Sequence, residues 1–88
     1  MATVLVVDDE PSVLRVFSRL FRSDDLVLLT ASSGAEALGV LSECRADTVI
    51  LDIVLPDRSG LEVFEDIRRL DSRLPVSAAG GGWRPVGT

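Results

Sequence analysis

Thr48-Val49-Ile50-Leu51-Asp52-Ile53-Val54-Leu55-Pro56-Asp57-Arg58-Ser59-Gly60 is the stretch whose reading decides the fold. Val49, Ile50 and Leu51 are apolar on both faces of a strand, the pattern of an interior strand in a parallel sheet covered by helices on each side. The run stops at a carboxylate. Pro56 and Gly60 then bound a turn on any account of the chain. Asp52 is thereby carried to the carboxyl rim of the sheet, where α/β folds collect ligands and chemistry. It is the leading candidate functional residue.

Upstream, Thr3 to Val7 repeats the pattern, a short apolar strand ending in Asp8-Asp9-Glu10. Pro11 suits the first turn of a helix, where its missing N–H would be unpaired anyway. Val13, Val16, Phe17, Leu20 and Phe21 then recur at helical spacing with Arg15, Arg19 and Arg22 between them. Leu26 to Thr30 reads as a second buried-type strand. Ser33-Gly34-Ala35-Glu36 has capping-box spacing, and Ala37, Leu38, Leu41 and Cys44 line one face of the helix that follows. Gly39 weakens that helix by about 1 kcal/mol relative to alanine. Ser59-Gly60-Leu61-Glu62 repeats the capping box before Val63, Phe64, Ile67 and Leu70, and Leu74-Pro75-Val76 begins a fourth strand.

Three consecutive βα units imply right-handed crossovers and a parallel sheet. The expected fold is α/β, a flavodoxin-like parallel sheet with flanking helices, incomplete at three βα units plus a partial fourth strand. Phe17, Phe21 and Phe64 are expected in the core, and Cys44 as a buried thiol on its apolar stripe. Residues 80–88, rich in glycine, read as a disordered tail on a domain of residues 1–79.

At 88 residues the chain holds one domain. Its mean hydropathy is +0.33, yet no uninterrupted apolar run approaches the roughly 18 residues a membrane span needs. The start lacks a secretory signal, so a cytoplasmic location without membrane attachment is expected. A net charge of −5 argues against gripping a nucleic-acid backbone directly. The chain has no histidine and no lysine; all nine basic side chains are arginine.

In the flavodoxin-like strand order the first and third strands are neighbours, and Asp8, Asp9 and Asp52 gather at one edge. Three carboxylates so placed take up a proton or hold a cation. Magnesium, which takes oxygen ligands and keeps waters, suits such a place and leaves room for phosphate oxygens. Asp52 is then placed as nucleophile toward a phosphoryl group, with Asp9 holding the ion directly and Asp8 helping through water or charge. Taken alone, Asp8-Asp9-Glu10 also fits acids set at the positive end of a helix, and Asp52 fits turn chemistry.

Val6-Val7-Asp8-Asp9-Glu10-Pro11, followed by Leu51-Asp52-Ile53-Val54-Leu55-Pro56-Asp57-Arg58-Ser59-Gly60, resembles the receiver domain of two-component response regulators. The resemblance runs from Thr3 to about Val76. It implies that Asp52 is the phospho-acceptor, that Asp8 and Asp9 form the acidic pair, and that the backbone carbonyl of Val54 completes a magnesium site. A histidine kinase or phosphotransfer protein is implied as the phosphodonor, in agreement with the missing histidine.

Receivers also carry a Ser or Thr after the fourth strand and a Lys after the fifth. Counting from Pro75 places Gly80 at the first position, with Ser77 reaching it only in a slipped register, and no lysine exists in the chain. The expectation is therefore a receiver cut short, its third strand keeping an apolar side and an unpaired edge, and prone to self-association. A phosphorylation-independent binding or dimerisation module, or a non-functional fragment, is the alternative. A phosphohydrolase of the haloacid-dehalogenase type is disfavoured, because the second acid it needs two residues after the nucleophile is Val54 here. The leading reading is a signalling module rather than an enzyme.

Overall fold

The computed structural model describes residues 2–20, 24–52 and 55–78. Strands and helices alternate as β1 (Ala2–Val7), α1 (Pro11–Leu20), β2 (Leu26–Ala31), α2 (Gly34–Glu43), β3 (Thr48–Leu51), α3 (Gly60–Leu70) and β4 (Val76–Ala78). The four strands form one parallel sheet in the order β2-β1-β3-β4. This is the expected flavodoxin-like arrangement over three βα units and a fourth strand. Phe21, Val54, Gly80 and the 80–88 tail lie outside the described residues.

Alternation along the strands divides the sheet into two unlike faces. Leu5, Val7, Val49 and Leu51 are fully buried and join Ala37 of α2 with Val63, Phe64 and Ile67 of α3 in one core. Right-handed crossovers put α1 on the other face. There Val6 is buried, but Val4 and Ile50 are only half-buried. α1 buries none of its residues fully: Val13, Leu14 and Phe17 are half-buried, while Val16 and Leu20 are 54% and 70% exposed. The apolar stripe of α1 is thus real and only partly covered, and of the aromatic residues expected in the core Phe64 is buried and Phe17 half-buried.

Two expectations are corrected. The third strand has no open edge, because β4 pairs with it from Val49↔Val76 to Leu51↔Ala78. Val76 begins β4, and Ser77 and Ala78, of low β propensity, continue it because β3 offers a ready ladder, led in by the Val49 N–H donating to the Pro75 carbonyl at 2.9 Å. Cys44 is exposed rather than buried. α2 ends at Glu43 and Cys44 takes an extended backbone (φ −124°, ψ 142°), so the helical spacing that put its thiol on the apolar stripe no longer applies.

Both serine caps form. Ser33 Oγ accepts the Glu36 N–H at 3.1 Å, and Ser59 with Glu62 completes both halves of a capping box at the start of α3. The loop from β3 to α3 is fastened a second way. Asp57 Oδ1 and Oδ2 accept the N–H groups of Gly34 and Ala35, each at 2.9 Å, at the start of α2. These two hydrogen bonds, which favour the charged form, hold the Asp57 carboxyl below its ordinary value of 3.8.

Close approach explains one glycine and exposes another. A Cβ on Gly34 would lie 2.7 Å from Val63 Cγ2 and 2.8 Å from Arg58 Cγ and Cδ, whereas one on Gly39 would meet nothing within 4 Å. Gly34→Ala is therefore expected to destabilise the chain by about 1–3 kcal/mol, and Gly39→Ala to stabilise it by about 1 kcal/mol, both read from chemical denaturation. A depressed folded value means that the Asp57 contribution is present above the unfolded value and lost as pH falls through the folded one. The melting temperature of Asp57→Asn should accordingly lie below that of the parent near neutral pH, with the gap closing below about pH 4.

Candidate functional site

The carboxyl ends of β1 and β3 lie level because Val7 pairs with Leu51. The ladder runs one residue further on each strand: the Asp52 N–H donates to the Val7 carbonyl at 2.9 Å and the Asp8 N–H to the Ala31 carbonyl at 3.0 Å. Both acids therefore leave the sheet with their backbones already fixed. Asp8 Oδ1 accepts the Glu10 N–H at 2.9 Å, which turns the chain toward α1. Asp8 is 6% exposed, Asp52 half-buried and Asp9 exposed.

One carboxylate oxygen from each of Asp8, Asp9 and Asp52 lies within 4.8 Å of the others. At that separation two unit charges repel by about 1 kcal/mol in water and about 3 kcal/mol at an effective dielectric constant of 20. The burial of Asp8 puts the cluster away from the fully screened limit. A hard cation relieves the repulsion, and carboxylate oxygens are the donor type that magnesium prefers. The residues present fit that ion.

The sequence expectations divide cleanly by position. Asp8, Asp9 and Asp52 come together, while Val54, whose carbonyl the resemblance assigns to the same place, is outside the described residues. Pro56 and Gly60 bound the turn that follows, Pro56 exposed and Gly60 buried as the first residue of α3. Ser77 pairs with Ile50, two residues short of the level of Asp52, or about 7 Å along the strand. It does not reach the acidic cluster by a register slip.

Sequence reasoning read Asp57 only as part of a turn. Its carboxylate instead bridges to α2, and Arg58 beside it reaches Asp66 of α3 at 2.7 Å, with Arg69 on the other Asp66 oxygen at 3.4 Å. The partners are 22 and 23 residues away in the chain, so no local spacing announces them.

The family model of the response regulator receiver domain matches residues 4–81. Among curated proteins, the probable transcriptional regulatory protein TcrX of Mycobacterium tuberculosis is 42% identical over 74 residues, which make up 84% of this chain and 32% of TcrX. The transcriptional regulatory protein KdpE of the same species is 44% identical over 68 residues, 77% of this chain and 30% of KdpE. The chain spans about a third of the length of these relatives. Among solved structures, the response regulator TrrA of Thermotoga maritima, in complex with Mg(2+)-BeF, superposes with a TM-score of 0.84 at 35% identity over 96% of this chain and 75% of TrrA. TrrA in complex with the histidine kinase ThkA gives 0.83 at 32% identity, covering 98% of this chain and 77% of that one. A family match over most of the chain, together with the parallel β2-β1-β3-β4 sheet, establishes that the chain belongs to the response regulator receiver domains of two-component systems.

Proposed function

We propose that this receiver domain accepts a phosphoryl group on Asp52 from a phosphohistidine of a partner histidine kinase or phosphotransfer protein, in a site that takes magnesium. The observation that carries the reading is the convergence of Asp8, Asp9 and Asp52 within 4.8 Å at the carboxyl ends of neighbouring strands. The complex of TrrA with ThkA, and that of TrrA with Mg(2+)-BeF, support it by similarity.

Asp52 is the nucleophile. One of its carboxylate oxygens forms a bond to phosphorus as the bond from phosphorus to the donor imidazole nitrogen breaks; that nitrogen keeps the electron pair and recovers a proton from water. The β-ladder bond from its N–H to the Val7 carbonyl fixes where Asp52 starts from, so orientation is supplied before the donor arrives. Asp9 and Asp52 would hold the ion directly and Asp8 would support it by charge, with the Val54 carbonyl the further ligand that the family resemblance implies. Held by these residues, magnesium would supply charge neutralisation for the phosphoryl oxygens. With no histidine among these 88 residues, the donor histidine lies outside them. The chain is thus an acceptor in a transfer to which the partner contributes much of the catalysis, and not an enzyme in its own right.

The exposed row of Val16 and Leu20 on α1 favours a second reading, a module that pairs with a partner or with itself independently of phosphorylation. Intact-mass measurement after incubation with magnesium and a small acyl-phosphate donor separates the two. The parent should gain one phosphoryl adduct and Asp52→Asn none; a folded parent that gains no adduct would favour the pairing module.

A further inference from the structure

β2 stands at one side of the sheet, with β1 along its inner edge and no described residue hydrogen-bonded to its outer edge. The ladder fixes which way each of its peptide groups points. The Ala2 N–H donates to the Asp25 carbonyl and the Asp8 N–H to the Ala31 carbonyl, so the odd-numbered residues of β2 bond β1. Leu26, Leu28 and Thr30 therefore turn their N–H and C=O groups outward. Exposed edges are ordinarily guarded by charge, proline or a bulge. Leu26-Val27-Leu28-Leu29-Thr30-Ala31 has no charged residue and no proline, and its register with β1 runs unbroken from Ala2↔Leu26 to Val7↔Ala31. Its sequence is that of a strand buried on both faces, yet only Ala31 is buried, with Val27 and Thr30 exposed.

We propose that the outer edge of β2 is the interface with a second copy of this chain, the two β2 strands pairing antiparallel about a two-fold axis through Leu28 so that two sheets become one. An axis normal to the sheet keeps each face on its own side, and outward residues then meet outward residues: Leu28 its own counterpart, Leu26 the Thr30 of the other copy. On the face that carries α2, where Leu29 packs against the core, Val27 comes opposite Leu29 of the other copy, an apolar pair that covers the exposed valine. Charge also suits this partner. Asp24 and Asp25 precede the strand, and antiparallel pairing sets Asp25 opposite Ala31 of the other copy and about 20 Å from its own counterpart. An uncharged apolar edge thus finds its complement in itself. The acidic cluster contributes no residue to the contact, so the proposal stands apart from the phospho-acceptor reading.

The test is sedimentation equilibrium of the whole chain across the micromolar to millimolar range, with amide hydrogen exchange read residue by residue by NMR at both ends of that range. A monomer–dimer equilibrium is expected. On dimerisation the Leu26, Leu28 and Thr30 amides should become protected, whereas those of Val27, Leu29 and Ala31, already turned to β1, are protected at every concentration. Thr30→Pro removes an outward N–H that the monomer does not use, and Val27→Lys puts a charge at the new apolar pair; each should weaken dimerisation by about 10-fold or more. Val27→Lys keeps the test decisive if Thr30→Pro fails to fold. Leu20→Lys, on the exposed row of α1, should leave dimerisation unchanged. A chain that stays monomeric to millimolar concentration overturns the proposal. So does a dimer whose Leu26, Leu28 and Thr30 amides exchange as in the monomer, or one that Leu20→Lys disrupts and Val27→Lys does not.

Discussion

Parallel pairing of β1 with β3 is the constraint on which everything else depends. Leu51 opposite Val7 puts the first residue beyond each strand at one level, and in both cases that residue is an aspartate. Hydrophobic burial of Leu5, Val7, Val49 and Leu51 against α2 and α3 holds the two strands side by side in this register. Three carboxylates held this close are a donor set of the type a hard cation takes.

The two faces of the sheet differ in what they settle. The side of α2 and α3 carries the buried core, from Ala31 and Ala37 to Leu74 and Val76. It also fastens the start of α3 and the residues just before it, through Asp57, Arg58 and the Ser59 cap. The side of α1 is looser, with half-buried Val4, Ile50 and Phe17 and an exposed outer row.

Much of this was legible in the chain itself. Strand and helix alternation followed from apolar runs and capping boxes, and the gathering of Asp8, Asp9 and Asp52 followed from strand order alone. The misreadings have physical reasons. Cys44 fitted the periodicity of α2, but the helix stops one residue before it and periodicity cannot see a stop that no glycine or proline marks. The edge expected to stay open on β3 is paired because Ser77 and Ala78, of weak propensity, continue the fourth strand along the ladder β3 supplies, an effect of tertiary structure that a local scale omits. Asp57 has turn chemistry in its neighbours, and only the packing of α2 beside the loop shows that its carboxylate serves another element.

The most direct measurement of the central claim is the magnesium dependence of the chemical-denaturation midpoint in the parent and in Asp9→Asn. Asp9 is the suitable position because it is exposed, whereas Asp8 also accepts the Glu10 N–H and its replacement would mix two effects. If crowded carboxylates define the site, Asp9→Asn is more stable than the parent without magnesium, and adding the ion raises the parent's midpoint more than the variant's. A less stable Asp9→Asn together with a parent indifferent to magnesium would contradict the account.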